Sequence, residues 1–143
     1  MKELTKAFNQ DKIQALENEL LKLPQEKQQL RHFTEVDGIY MREMTIPKGI
    51  ATTGKTHVTE SYSIITKGKV AIVNNFGDEV IMVAGDILYS APGGKKAVYA
   101  LEDSVFLTVH RCDLMNVPDI EKYLVVDTQE EYQLRINQLQ EAS

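Results

Sequence analysis

Residues 49–68 read GIATTGKTHVTESYSIITKG, and this stretch decides the fold class. Glycine stands at both ends, where a chain reverses direction at least steric cost. Between the glycines, Lys55, His57, Thr59, Ser61 and Ser63 fall at every second position. A strand turns successive side chains to opposite faces, so these five share one polar face.

The same texture extends in both directions. Short apolar runs at 39–45, 62–66, 70–73, 80–83, 87–89, 98–101 and 105–109 alternate with turn signals. Those signals include Pro47-Lys48-Gly49, Lys67-Gly68-Lys69, Asn75-Phe76-Gly77-Asp78 and Pro92-Gly93-Gly94. Seven or eight short strands without intervening helices predict an all-β antiparallel sandwich or barrel and exclude a parallel sheet. All eight glycines lie between Gly38 and Gly94. The glycine-free ends read as helix. Ile13, Leu16, Leu20 and Leu23 step by three and four, predicting a helix over 10–23 that Pro24 ends. Thr128-Gln129-Glu130-Glu131 has capping-box spacing and opens a helix over 128–140, with Tyr132, Ile136 and Leu139 on one face. The expected layout is a helical extension over 1–37, a β domain over 38–111 and a helical tail over 112–143.

Composition narrows the function. The chain has 143 residues, 43% of them hydrophobic and 26% charged, enough for one domain with a buried core. Sixteen bases against 21 acids give a net charge of −5, which argues against nucleic acid as a partner. The deficit is concentrated in 113–143, so a nearly neutral middle can still focus positive charge in a cleft. Cys112 is the only cysteine, so no internal disulfide forms, and a reducing cytoplasm is the expected compartment. It reads as a buried residue at a strand end. No apolar run reaches the roughly 18 residues of a membrane helix, so no membrane partner is expected.

Gly49, Lys55, His57, Ser61 and Gly68 occupy the positions of the first cupin motif, G-x5-H-x-H-x3-E-x6-G. Gly85, Pro92 and Gly94 resemble the second, G-x5-P-x-G-x2-H-x3-N, with one extra residue before the proline. The chain therefore resembles the cupin superfamily over about 38–111, which implies a small antiparallel jelly roll flanked by the two end helices. The strings TGKTHVTESYSIITKG and SAPGGKKAVYALEDSVFLTVH also resemble small cupin-like proteins of tailed bacteriophages. That likeness implies a viral origin and a host-cytoplasm location. In metal-binding cupins the ligand positions correspond to Lys55, His57, Ser61 and Ala97 here, so one donor of four survives. A divalent transition ion needs three or four converging donors, and a lysine ammonium offers none. Glu60 sits an odd step from His57 and faces the other way. No metal and no cofactor are expected.

The resemblance turns the polar face of Lys55, His57, Ser61 and Ser63 into the barrel. Tyr99 shares a face with Ala97, Phe106, Thr108 and His110 share another, and Lys95 and Lys96 flank the Pro-Gly-Gly turn at the rim. These residues suit a small anionic or nucleotide-like ligand: cations meet the charge, hydroxyls orient it and rings stack on a base. The expected function is non-catalytic binding, such as sequestration of a nucleotide-derived host signal, with no catalytic residue assigned. An epimerase or isomerase reading would use His57 or His110 as base and Tyr99 or Tyr62 as acid. It lacks a buried acid beside either histidine, since Asp86 and Asp103 fall in turns. A phage structural or assembly role is the third reading. Two amphipathic end helices and sheet edges predict a homo-oligomer, dimer or higher.

Overall fold

A computed structural model describes the backbone of residues 2–23, 25 and 29–142, with side chains from residue 12 to residue 140 of that set. Helix α1 (Lys2–Leu21) leads into β1 (Gln29–Phe33) and β2 (Ile39–Ile46). Then follow β3 (Ala51–Thr53), β4 (Thr56–His57), β5 (Ser61–Lys67), β6 (Lys69–Asn74), β7 (Glu79–Val83) and β8 (Ile87–Ser90). The chain continues with β9 (Lys96–Ala100), β10 (Ser104–Arg111), α2 (Val117–Leu124), β11 (Val125–Val126) and α3 (Gln129–Ala142).

All strand pairs are antiparallel. One sheet runs β1-β2-β10-β5-β8, a second β3-β9-β6-β7, and a two-stranded ribbon joins β11 to β4. The two large sheets enclose one core. Ile46, Ile65 and Phe106 come from the first, and Val70, Ile72, Met82, Val98 and Ala100 from the second. No ladder joins these sheets among the described residues, so the jelly roll is an open two-sheet one and not a closed barrel.

Each apolar run read from the sequence forms a strand, and the turns between them are built as their glycines require. Gly68 has a φ of +87°, and a Cβ there would lie 2.3 Å from the Asp103 carbonyl oxygen. Only glycine fits. Asn75 is fully buried beneath the Pro92-Gly93-Gly94 turn. Its side chain donates to the Gly93 carbonyl at 2.9 Å and accepts from the Lys95 N–H at 2.8 Å, tying the β6–β7 turn to the start of β9.

The ends depart from expectation. The 1–37 stretch is not wholly helical, because Gln29–Phe33 adds an edge strand to β2. Helix α1 begins well before residue 10 and ends at Leu21, where the Gln25 side chain donates to the Leu20 carbonyl. Pro24, expected to end it, lies outside the described residues. Of the expected apolar stripe only Ile13 is buried, while Leu16 and Leu23 stay exposed. The tail contains α2, an additional helix capped by Asn116, which accepts from the Asp119 N–H. Ile120 and Leu124 of α2 pack with Tyr40 and Cys112 in a second core, where the cysteine is buried as expected. Helix α3 starts where the capping box places it, with Thr128 Oγ1 accepting from the Glu131 N–H at 3.1 Å. Glu131 returns its carboxylate to the Asp127 N–H, one residue earlier than the motif predicts.

Among the described residues no helix is long and apolar enough to cross a membrane.

Candidate functional site

Three rows of side chains run across the inner face of the five-stranded sheet. Strand pairing aligns Met44 with Phe106 and Phe106 with Ile65. The next row is Arg42, Thr108 and Ser63, and the third is Tyr40, His110 and Ser61. The rows follow from period-two alternation in β2, β10 and β5, which turns every second residue inward. The inner face is therefore apolar at one end, cationic and hydroxylated in the middle, and aromatic at the other end.

The opposite wall completes a cavity of about 260 Å³. β9 contributes Lys96 and Val98, β4 contributes His57, and α2 closes the mouth with Ile120, Glu121 and Leu124. The Val58 N–H donates to the Leu124 carbonyl at 2.7 Å, and β11 pairs with β4, so the α2 segment is stitched to the strand that carries His57.

Lys96 is the central cation. Its Nζ donates to Ser63 Oγ at 3.2 Å and lies 5.9 Å from the Phe106 ring centre. Neither Lys96 nor Arg42 has a carboxylate within ion-pair distance among the described residues. Burial and then the neighbouring Arg42 charge push the Lys96 ammonium down to about 8. His57 and His110 stack with ring centres 5.4 Å apart. Burial first, and then the nearby cations, lowers His57 to about 3 and His110 to about 4. Both imidazoles are therefore neutral at pH 7, and the Nδ1 of each is buried without a hydrogen-bond partner among the described residues.

The structure brings together His57, Ser63, His110 and Lys96, and it redistributes the other expected residues. Ser61 is buried across from His110 on β5, and its Oγ has no hydrogen-bond partner among the described residues. Lys55 lines the cavity only at its rim. Its side chain is 63% exposed and pairs with Asp127 at 3.1 Å. Lys95 faces away from the cavity, buried beneath α1, where its Nζ meets Glu17 at 2.9 Å and the Gln14 side chain at 3.2 Å. Tyr99 lies on the outer face of β9 and is 45% exposed. The inward residues of β9 are Lys96, Val98 and Ala100, so the second-motif position falls on Lys96 and not on Ala97. The extra residue before Pro92 shifts the count by one, and a one-residue shift reverses every side chain of a strand. Arg42 was missed by motif reading, although Tyr40, Met44 and Ile46 at the same phase mark its position as inward.

Among the described residues no three His, Cys, Asp or Glu side chains cluster to hold a metal ion. Two imidazoles beside Lys96 and Arg42 do not fit the transition-metal centre of metal-binding cupins, since the adjacent charges oppose a cation.

No protein-family model and no curated protein matches the sequence. Solved structures do match. A cupin superfamily protein from Desulfitobacterium hafniense superposes with a TM-score of 0.53 at 12% identity, covering 66% of this chain and 86% of the other. An RmlC-like cupin with a double-stranded β-helix fold from Methanocaldococcus jannaschii gives 0.51 at 13%, covering 62% and 84%. The DMSP lyase DddQ from Ruegeria pomeroyi gives 0.55 at 15%, covering 63% of this chain and 49% of the lyase. The structural neighbours are thus cupin-superfamily proteins, and at these identities they show the fold alone.

Proposed function

We propose that the chain is a non-catalytic binding protein whose cupin pocket takes a small organic anion. One observation carries this reading: Lys96 is held inside the cavity by a serine hydroxyl, beside Arg42, with no carboxylate paired to either among the described residues. Burying a cation without a counter-ion is costly, and a bound anion offsets that cost. The cavity volume sets the size class, a compact ligand with one anionic group and a short apolar body lying on Met44, Val98 and Phe106. The neutral imidazoles serve as hydrogen-bond partners more readily than as bases, because a general base works best with a pKa near the working pH.

The finer reading is a nucleotide-derived ligand sequestered by a phage protein. It is supported by the resemblance of 53–68 and 90–110 to phage cupin-like proteins and by the aromatic rings of Tyr40 and Phe106 in the cavity wall. A homo-oligomer belongs to the same proposal. The test is calorimetric titration with inorganic phosphate, pyruvate and adenosine monophosphate at low and high salt. At least one anion should bind, and more weakly as salt rises. Absence of binding by all three overturns the reading.

A further inference from the structure

We propose that Lys96 is a carbonyl-reactive amine, whose Nζ condenses with the aldehyde or keto group of a small organic anion while Arg42 holds the anionic group. The proposal rests on the anion-pocket reading and deepens it by naming the ligand class. Three features of the site support it.

The amine is poised in the right surroundings. Lys96 projects from the inner face of β9 against Phe106, with its Nζ fixed by Ser63 Oγ. A lysine that is desolvated, or set next to another cation, becomes an amine nucleophile near neutral pH. Here both conditions hold, through burial and through Arg42. At pH 7 a lysine titrating at about 8 is uncharged roughly three hundred times more often than one at its ordinary 10.5.

The groups facing it come from every wall and are compatible with a free amine. Arg42 lies on β2, Thr108 and His110 on β10, Ser63 on β5 and His57 on β4. Among the described residues the one acid lining the cavity is Glu121 on α2, and it makes no ion pair with Lys96. No carboxylate among the described residues therefore holds the ammonium in its charged form.

The condensation balances without a redox partner. In the first step the amine nitrogen bonds to the carbonyl carbon, the π electrons move to oxygen, and a proton passes from nitrogen to that oxygen. In the second step the hydroxyl leaves with a proton as water and the C=N bond forms. The amine loses two hydrogens, the carbonyl loses its oxygen, and nothing is oxidised or reduced. The neutral imidazoles of His57 and His110, whose Nδ1 atoms have no partner among the described residues, can hydrogen-bond the hydroxyl as it forms and leaves.

The test uses the full chain with pyruvate as probe and sodium cyanoborohydride as trap, read by intact mass and peptide mapping. Lactate, which carries the same carboxylate without a ketone, measures anion binding alone by calorimetry. The expected result is one adduct, equal to the pyruvate mass less one oxygen, on Lys96. It should form about tenfold faster than on any other lysine. Lys96→Arg, which cannot form the imine, should lose the adduct. Lactate binding with no adduct on Lys96, or equal trapping across the lysines, overturns the imine and leaves the anion pocket standing. Binding of neither probe overturns both.

Discussion

Lys95 and Lys96 are sequence neighbours whose ammonium groups lie on opposite faces of β9. Lys95 Nζ sits 2.9 Å from Glu17 beneath α1, and Lys96 Nζ sits 3.2 Å from Ser63 Oγ inside the jelly roll. One is structural and paired. The other is buried in a cavity with no carboxylate in ion-pair range among the described residues.

The two therefore part under mutation. Lys95→Ala breaks a largely buried pair, strands Glu17 beside Thr53 and loosens α1. It should cost about 2 kcal/mol in urea unfolding, with anion affinity unchanged. Lys96→Met removes a buried, uncompensated charge and should raise stability by roughly 1 kcal/mol. Equal stability effects of the same sign would refute the division.

The imidazole pair sets an acid limit. His57 and His110 titrate in the folded protein at about 3 and about 4, below the ordinary 6.5, so the unfolded chain binds protons first. Their contribution is fully present above pH 6.5 and is lost progressively as pH falls toward those folded values. At pH 5 each histidine should cost about 2 kcal/mol relative to pH 7.5. Urea midpoints across pH 4.5–7.5 should fall accordingly, and the fall should shrink in the His57→Gln/His110→Gln double variant. An unchanged slope in that variant would show that other groups drive it.

Gly68→Ala should destabilise by more than about 2 kcal/mol, since the new Cβ meets Asp103 and Ser104 at a positive φ. Gly85 also has a positive φ, but the space around it is open. Gly85→Ala therefore carries only the backbone strain, about 1 kcal/mol. Thermal unfolding of both variants checks the order, and an equal loss would remove the steric argument.

The sequence exposed the strands because their apolar runs and glycine turns are long enough to show a period. β3, β4 and β11 have two or three residues each, too few for any pattern, and β1 is polar at its start. Helix α2 did carry local signals, an Asn116 cap with Pro118 in the first turn and Ile120 and Leu124 four apart. They fall inside the 112–143 stretch expected as a helical tail, where the capping box at Thr128 marks only the later helix. The site was legible in its residue types and misplaced in phase. Counting on from Pro92 and Gly94 lands on Ala97, whereas the motif counted from Gly85, without the extra turn residue, reaches the inward Lys96. Arg42 was legible only through its neighbours Tyr40 and Met44.

Exposed apolar side chains on the edge strands mark where copies should meet. Ile81 on β7 is 60% exposed and Ile87 on β8 is 63% exposed, and each strand ends its sheet. Sedimentation at micromolar concentration should give a dimer or larger, and Ile81→Lys with Ile87→Lys should shift it toward monomer. A wild-type monomer would contradict this.

The account turns on Lys96 as the cation of the pocket, and calorimetry on matched variants tests it most directly. The anion that binds the wild type most tightly is titrated against Lys96→Met and Lys55→Met. Lys96→Met should lose about 1.5–3 kcal/mol, roughly ten- to a hundredfold in affinity, as expected for one charged hydrogen bond in a cavity. Lys55→Met, at the solvent-exposed rim, should change affinity by less than about threefold. Equal affinity of Lys96→Met and wild type, or a larger loss at Lys55, would contradict the account.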